Sequence, residues 1–140
     1  MAIEKTFSMV KPDGVKRGLV GEVVRRYESN GLKITALRMI HLTPGRTQEF
    51  YSVHRGKPFF DELVAFIASG PVVAMRVEGD DAIGRVREIM GATDYKKALP
   101  GTIRADYARE ITRNIVHGSD APETAEQEIS FFFGSDPAGR

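Results

Sequence analysis

The chain has no cysteine, which removes disulfides and thiolate metal sites and points to a cytoplasmic protein. It also lacks any apolar run near the ~20 residues that a membrane-spanning helix needs. Its opening, MAIEKTFSMV, puts charges where a signal peptide would carry its apolar stretch. A dominant sign of charge is missing as well. Lys plus Arg number 20 against 19 Asp plus Glu, a net charge of +1. No global field is therefore available to hold a nucleic-acid backbone or an anionic membrane, and any anion must be caught locally. Neither a Walker A string nor GxGxxG occurs, so P-loop and Rossmann readings lose support. No internal repeat, low-complexity tract or linker divides the chain. With 140 residues, 41% hydrophobic and 28% charged, the sequence predicts one domain over residues 1–140, large enough to bury a core.

Hydrophobic periodicity sets out the elements. Lys5 to Val10 reads as a strand running into a Lys11-Pro12-Asp13-Gly14 turn, and Val20, Val23, Val24 and Tyr27 mark one helical face that Asn30-Gly31 ends. Leu32 to Leu42 has strand composition, with an apolar phase slip between Ala36 and Leu37 that predicts a bulge or burial on both faces. Thr43-Pro44 starts a helix reaching about Val53. Phe60, Leu63, Val64 and Ile67 form a helical stripe that leaves Phe59 off its centre, free for a ligand. After the Ser69-Gly70-Pro71 break, Val72 to Val77 reads as a buried strand. Asp80 then starts a helix that turns Ile83, Val86 and Met90 inward and stops at Gly91. Ala92 to Arg113 has little pattern, and a long irregular segment in a compact domain is more often functional than idle. Ile115 and Val116 make a last short strand, and Ala125, Ile129, Phe132 and Phe133 the stripe of a last long helix. Strands alternating with helices predict an α/β or α+β architecture, helices packed on a single sheet of about four strands.

The most informative stretch is Asn114 to Asp120, NIVHGSD, which sets a histidine between a short strand and a strong helix start. Asp120 can cap that helix, Pro122 suits its first turn, and Glu123 stands three residues after Asp120. A histidine at the mouth of a helix N-terminus, beside a glycine that allows close approach to the backbone, stands where phosphates are favoured. A neutral imidazole is a competent nucleophile near neutral pH and can be phosphorylated reversibly. Taken alone, His117 is more simply an ordinary surface or core histidine; its weight comes from other polar features at the ends of elements. Lys11 follows a strand and precedes Pro12, so its ammonium is displayed at a sheet end. Glu128, beside Ile129 on the last helix, can point back toward His117 or lie as a solvated charge. Ser119 is a donor for a transferring phosphate or a simple helix-start residue. No dedicated carboxylate cage for a metal is visible.

KPDG at Lys11 to Gly14, KPFF at Lys57 to Phe60, SGPVVAM at Ser69 to Met75, GTIR at Gly101 to Arg104, and NIVHGSD follow one another along the chain. Through these five strings, in order and with compatible spacing, the sequence resembles the nucleoside diphosphate kinases over nearly its whole length. The resemblance implies an α+β fold: a ferredoxin-like βαββαβ core whose four-stranded antiparallel sheet is covered by helices. It implies transfer of the γ-phosphate of ATP to nucleoside and deoxynucleoside diphosphates through a phosphohistidine, with Mg2+ bound through the nucleotide phosphates. By the same resemblance His117 is the nucleophile, Glu128 orients it, and Tyr51 lies near it, although Tyr51 could equally be the edge of an amphipathic core. Lys11, Arg87, Thr93, Arg104 and Asn114 match positions that contact phosphates and ribose, where guanidinium forks suit phosphate geometry. Phe59 matches the residue stacked on the base, and stacking accepts every base because each has a π-face. Asp120 can act through magnesium or a bound water, or only as a cap.

Asp94-Tyr95 departs from the family's frequent Asn-Pro, and the tail GSDPAGR is short and polar. The resemblance implies a homo-oligomer, with dimer, tetramer and hexamer all open. Two alternatives remain at this level. One is a non-catalytic nucleotide- or RNA-binding module of the same fold; RNA binding would call for aromatic strand motifs and a basic face, which the aliphatic strands and balanced charge do not provide. A phosphatase would pass the phosphate of the same phosphohistidine to water.

Overall fold

β1 (Ile3–Val10) lies inside the sheet, antiparallel to β3 (Val72–Asp80) on one side and to β4 (Val116–Gly118) on the other. β2 (Lys33–Ile40) pairs antiparallel with the outer side of β3, so the spatial order is β2-β3-β1-β4. The computed structural model describes residues 3–134; the remainder of the polar tail, residues 135–140, lies outside the described residues. Between β1 and β2 run α1 (Pro12–Lys16) and α2 (Val20–Ser29), and between β2 and β3 run α3 (Pro44–Phe50), a 3-10 turn (Ser52–His54) and α4 (Phe60–Ile67). α5 (Ala82–Met90) and α6 (Ile103–Tyr107) connect β3 to β4, and α7 (Pro122–Phe133) closes the chain. β1, α2, β2, β3, α5 and β4 make the expected βαββαβ core, with α3 and α4 inserted in the β2–β3 connection.

The period of two along a strand sends alternate residues to opposite faces, and here both faces are covered. Val73, Met75 and Val77 of β3 join Val10, Val116, Val23, Tyr27, Val86 and Met90 in a core beneath α2 and α5. Val72 and Ala74 join Phe7, Met9, Leu63, Ile67 and Phe132 in a second core beneath α4 and α7. Burial on both sides explains why β3 reads as a continuous apolar run. Because β4 pairs Met9 with His117, His117 shares the second face, while its neighbours Val116 and Gly118 look toward α5. At Gly118 a Cβ would meet the Met90 sulfur at 2.7 Å, so glycine lets α5 lie close to the strand.

Four local expectations are corrected. Asp80 ends β3 instead of starting a helix, because β1 is long enough to pair with it at Ile3. α5 begins after Asp81, which sits at φ 52 without a capping bond of its own; the N–H of Ile83 is satisfied by Glu4 Oε1 of β1 at 2.8 Å. The slip in β2 falls between Ile34 and Ala36, where Thr35 is the extra residue and Arg76 Nε donates to its Oγ1 at 2.8 Å. Lys11 to Gly14 enter the short helix α1, with Pro12 at its first turn. The irregular segment contains α6, capped by Thr102 Oγ1, which accepts from the Ala105 N–H.

Candidate active site

A three-residue turn delivers β4 to the sheet. Ile115 takes φ 77, a left-handed conformation that a β-branched side chain adopts only under constraint. The Val116 N–H closes the turn on the Asn114 carbonyl at 2.9 Å, and the Ile115 carbonyl accepts from the Lys11 N–H at 2.8 Å. Asn114 and Lys11, 103 positions apart, are thereby brought together, and Lys11 Nζ donates to Asn114 Oδ1 at 2.7 Å.

His117 follows two residues after Ile115, partly exposed, with Nε2 2.9 Å from Glu128 Oε1 on α7. An ionised carboxylate only accepts, so the ring proton is assigned to Nε2 and Nδ1 retains its lone pair. Ser119 Oγ donates to the same Glu128 oxygen at 2.6 Å, which fixes the carboxylate that fixes the ring. Aromatic rings wall the imidazole: Phe50, Phe7 and Tyr51 have centroids 5.6, 6.0 and 6.2 Å away. Burial, with the Glu128 charge second, holds the Tyr51 phenol above its ordinary value, so it stays protonated. Its oxygen is buried and has no hydrogen-bond partner among the described residues.

Cations gather opposite this group. Burial, then the charge of Arg104, lowers the Lys11 amine to about 7, with Asp13 pulling the other way. Burial also lowers Arg104, to about 10, which leaves it charged at neutral pH. Arg104 holds the carbonyls of Val116 at 2.7 Å and Gly91 at 3.0 Å, and Arg87 Nη1 reaches the Gly118 carbonyl at 3.3 Å. Lys11, Arg87, Thr93, Arg104, Asn114, His117, Ser119, Tyr51 and Glu128, nine of the ten expected site residues, line one cavity of about 490 Å3. The tenth, Phe59, is 47% exposed beside the cavity and not part of its wall.

Asp120 is corrected as a cap. Ala121 holds the N-cap position of α7 without a side-chain bond, and Pro122 occupies the first turn. Asp120 is one residue too early to cap and borders the cavity instead. Sequence reasoning missed Phe50, His54 and Thr124, which also line it. His54 ends the 3-10 turn Ser52–His54, between two apolar stripes, where the sequence gives no periodic signal. Its ring lies 6.3 Å from Tyr51 and 5.3 Å from Phe59, linking the cavity to the exposed phenylalanine.

The family model for nucleoside diphosphate kinase matches residues 4–138. The chain belongs to the nucleoside diphosphate kinase family. A nucleoside diphosphate kinase of Desulfosudis oleivorans is 62% identical over 133 residues, covering 95% of this chain and 96% of that protein. The nucleoside diphosphate kinase of Aquifex aeolicus, in an orthorhombic crystal form, superposes with TM-score 0.92 at 47% identity, over 96% of this chain and 97% of that one. A halophilic nucleoside diphosphate kinase from Halobacterium salinarum, solved in complex with CDP, gives TM-score 0.92 at 50% identity, over 96% and 90%. The chain is thus an enzyme, a nucleotide-binding phosphotransferase with nucleoside diphosphate kinase activity. The RNA-binding alternative draws nothing from these matches.

Proposed function

We propose that this nucleoside diphosphate kinase, one domain over residues 1–140, carries the transferred phosphate on His117 in a two-step exchange. The observation that carries this reading is the His117–Glu128–Ser119 chain of hydrogen bonds at the wall of a cation-lined cavity. Nδ1 attacks the γ-phosphorus of ATP: an N–P bond forms, the bond to the bridging oxygen breaks, and ADP leaves with that oxygen's electrons. A second nucleoside diphosphate then offers a terminal oxygen to the phosphohistidine, and the N–P bond breaks. The imidazolium character gained on phosphorylation is stabilised by Glu128 at Nε2. Lys11, Arg87 and Arg104 stabilise charge on the equatorial oxygens, and Tyr51, kept protonated, offers a donor beside His117.

Magnesium bound through the nucleotide would neutralise phosphate charge. Among the described residues no group of three or more His, Cys, Asp or Glu side chains is placed to hold a metal ion. Glu128 is engaged by His117 and Ser119, leaving Asp120 as the cavity carboxylate able to reach the ion through water. Phe59 is exposed where a base leaving the cavity past His54 would stack on it, which accepts all bases. A homo-oligomer is supported by β2, an outer strand exposing Leu37 (53%) and Met39 (58%). A cytoplasmic location is part of the same proposal; among the described residues no helix is long and apolar enough to cross a membrane.

The test is to incubate the protein with γ-labelled ATP and magnesium without acceptor, then chase with several unlabelled diphosphates. Acid-labile label on the wild type but not on His117→Gln, leaving onto every diphosphate, is the expected result. Label passing to water would mark a phosphatase, and normal labelling of His117→Gln would overturn the assignment.

A further inference from the structure

We propose that Asp13 is a positioning residue for phosphoryl transfer, its carboxylate clamping the Ile115 turn so that Asn114, Lys11 and Arg104 converge on the phosphate. The inference rests on the reading of His117 and the cations just given, and adds a residue that touches none of the reacting atoms.

Asp13 lies in the first turn of α1, yet Oδ2 accepts the N–H of Ile115 at 3.1 Å, 102 positions away. An acidic residue in a helical first turn is ordinarily explained by the helix dipole, but a five-residue helix offers little dipole to serve. A conformation such as that of Ile115 is strained and persists only where its surroundings over-determine it. Three hydrogen bonds do so here: Val116 N–H to the Asn114 carbonyl, Lys11 N–H to the Ile115 carbonyl, and Ile115 N–H to Asp13. The first two join main chain to main chain and do not depend on the identity of residue 13. Asp13 supplies the one of the three that depends on a side chain, while Arg104 holds the flanking carbonyls of Asn114 and Val116.

Asn114, at the head of the turn, is where the cavity's polar groups meet. Its side chain accepts from Lys11 Nζ at 2.7 Å and donates to the Ile111 carbonyl at 2.7 Å, while its carbonyl receives Arg104 Nε at 3.4 Å. If Ile115 relaxes to an ordinary extended φ, the Asn114 peptide turns and these partners separate. His117 is held independently, by pairing with β1 and by Glu128. Releasing the clamp therefore disturbs phosphate placement more than the nucleophile. The carboxyl is kept in place at a penalty: its other oxygen, Oδ1, is buried with no hydrogen-bond partner among the described residues, a costly arrangement unless Oδ2 has a task.

The experiment compares Asp13→Ala and Asp13→Asn with wild type by rapid-quench measurement of histidine phosphorylation from γ-labelled Mg-ATP, with steady-state kcat and KM and the melting temperature. Asp13→Ala is expected to slow phosphorylation on the order of 10- to 100-fold, as a displaced phosphate does, with kcat falling more than KM rises. Asp13→Asn, whose carboxamide oxygen accepts the same N–H, is expected to restore the rate. A purely structural role predicts a lower melting temperature with unchanged phosphorylation per folded molecule, and that result overturns the proposal, as does an Asn variant as slow as Ala. Should Asp13→Ala not fold, Asp13→Glu decides: a carboxylate one methylene longer displaces the acceptor, and a wild-type rate there counts against the clamp. Failure of the underlying reading would show separately, as a wild type that forms no phosphohistidine.

Discussion

The two nitrogens of His117 have different surroundings, and in the proposed mechanism that difference makes a nucleophile of the ring. Glu128 claims Nε2, so the reactive lone pair is on the other nitrogen, and His117→Gln should lose all labelling from ATP while its melting temperature stays near wild type. Lys11 carries a second residue-scale consequence. Burial lowers its amine from 10.5 to about 7, so on folding it gives up a proton across much of the range between. The unfolded chain binds more protons there, and this group's contribution to stability rises as pH rises from about 7 toward the unfolded value and is unfavourable below. A bound diphosphate is expected to restore the charge by pairing with the ammonium. Calorimetry of ADP binding near pH 8 in two buffers of different ionisation enthalpy should therefore show uptake of up to about one proton per nucleotide, absent in Lys11→Met; enthalpies independent of buffer would exclude a neutral lysine. At this scale much was legible in the sequence. His117, Lys11 and Asn114 flank short apolar runs, and their family strings are contiguous. His54 and Asp13 were not legible, because one sits in an aperiodic turn and the other acts on a residue 102 positions away.

Elements whose ends are set locally were read well from the sequence, and those set by distant partners were not. Asn30 ends α2 and Gly91 ends α5 as composition predicts, whereas α5 receives its N-terminal acceptor from Glu4 on another strand, which no local pattern reveals. Gly91 also joins an element boundary to the site. It sits at φ +89, and a Cβ there would come within 2.5 Å of Thr102 Oγ1, the cap of α6; its carbonyl holds Arg104. Gly91→Ala should cost about 1–3 kcal/mol of stability in urea unfolding and raise the KM for nucleotide as α6 and Arg104 are pushed aside. A variant with wild-type stability and KM would separate Gly91 from the placement of Arg104.

For the whole molecule, the apolar face periodicities predicted the layers and the family strings predicted the sheet, since alternation along β3 fills two cores with its own residues. Subunit number was not legible, because it depends on surfaces whose partners are other copies. Leu37 and Met39 on outer β2 provide a handle: replacing both with Glu should shift the particle to a smaller species by light scattering, while nucleotide-dependent labelling of His117 persists. An unchanged mass would move the interface elsewhere.

The strand order bears on how the chain is made. β1 leaves the ribosome first, yet its partners are β3 and β4, and β2 pairs with β3. No strand can find a ladder until Val72–Asp80 has been synthesised, so the first two strands emerge with their backbone donors and acceptors answered by water or by helper proteins. Contacts so distant in sequence favour slow, concerted closure over stepwise growth. His117, on the last strand to arrive, is placed only in a chain whose other three strands are already available to receive it.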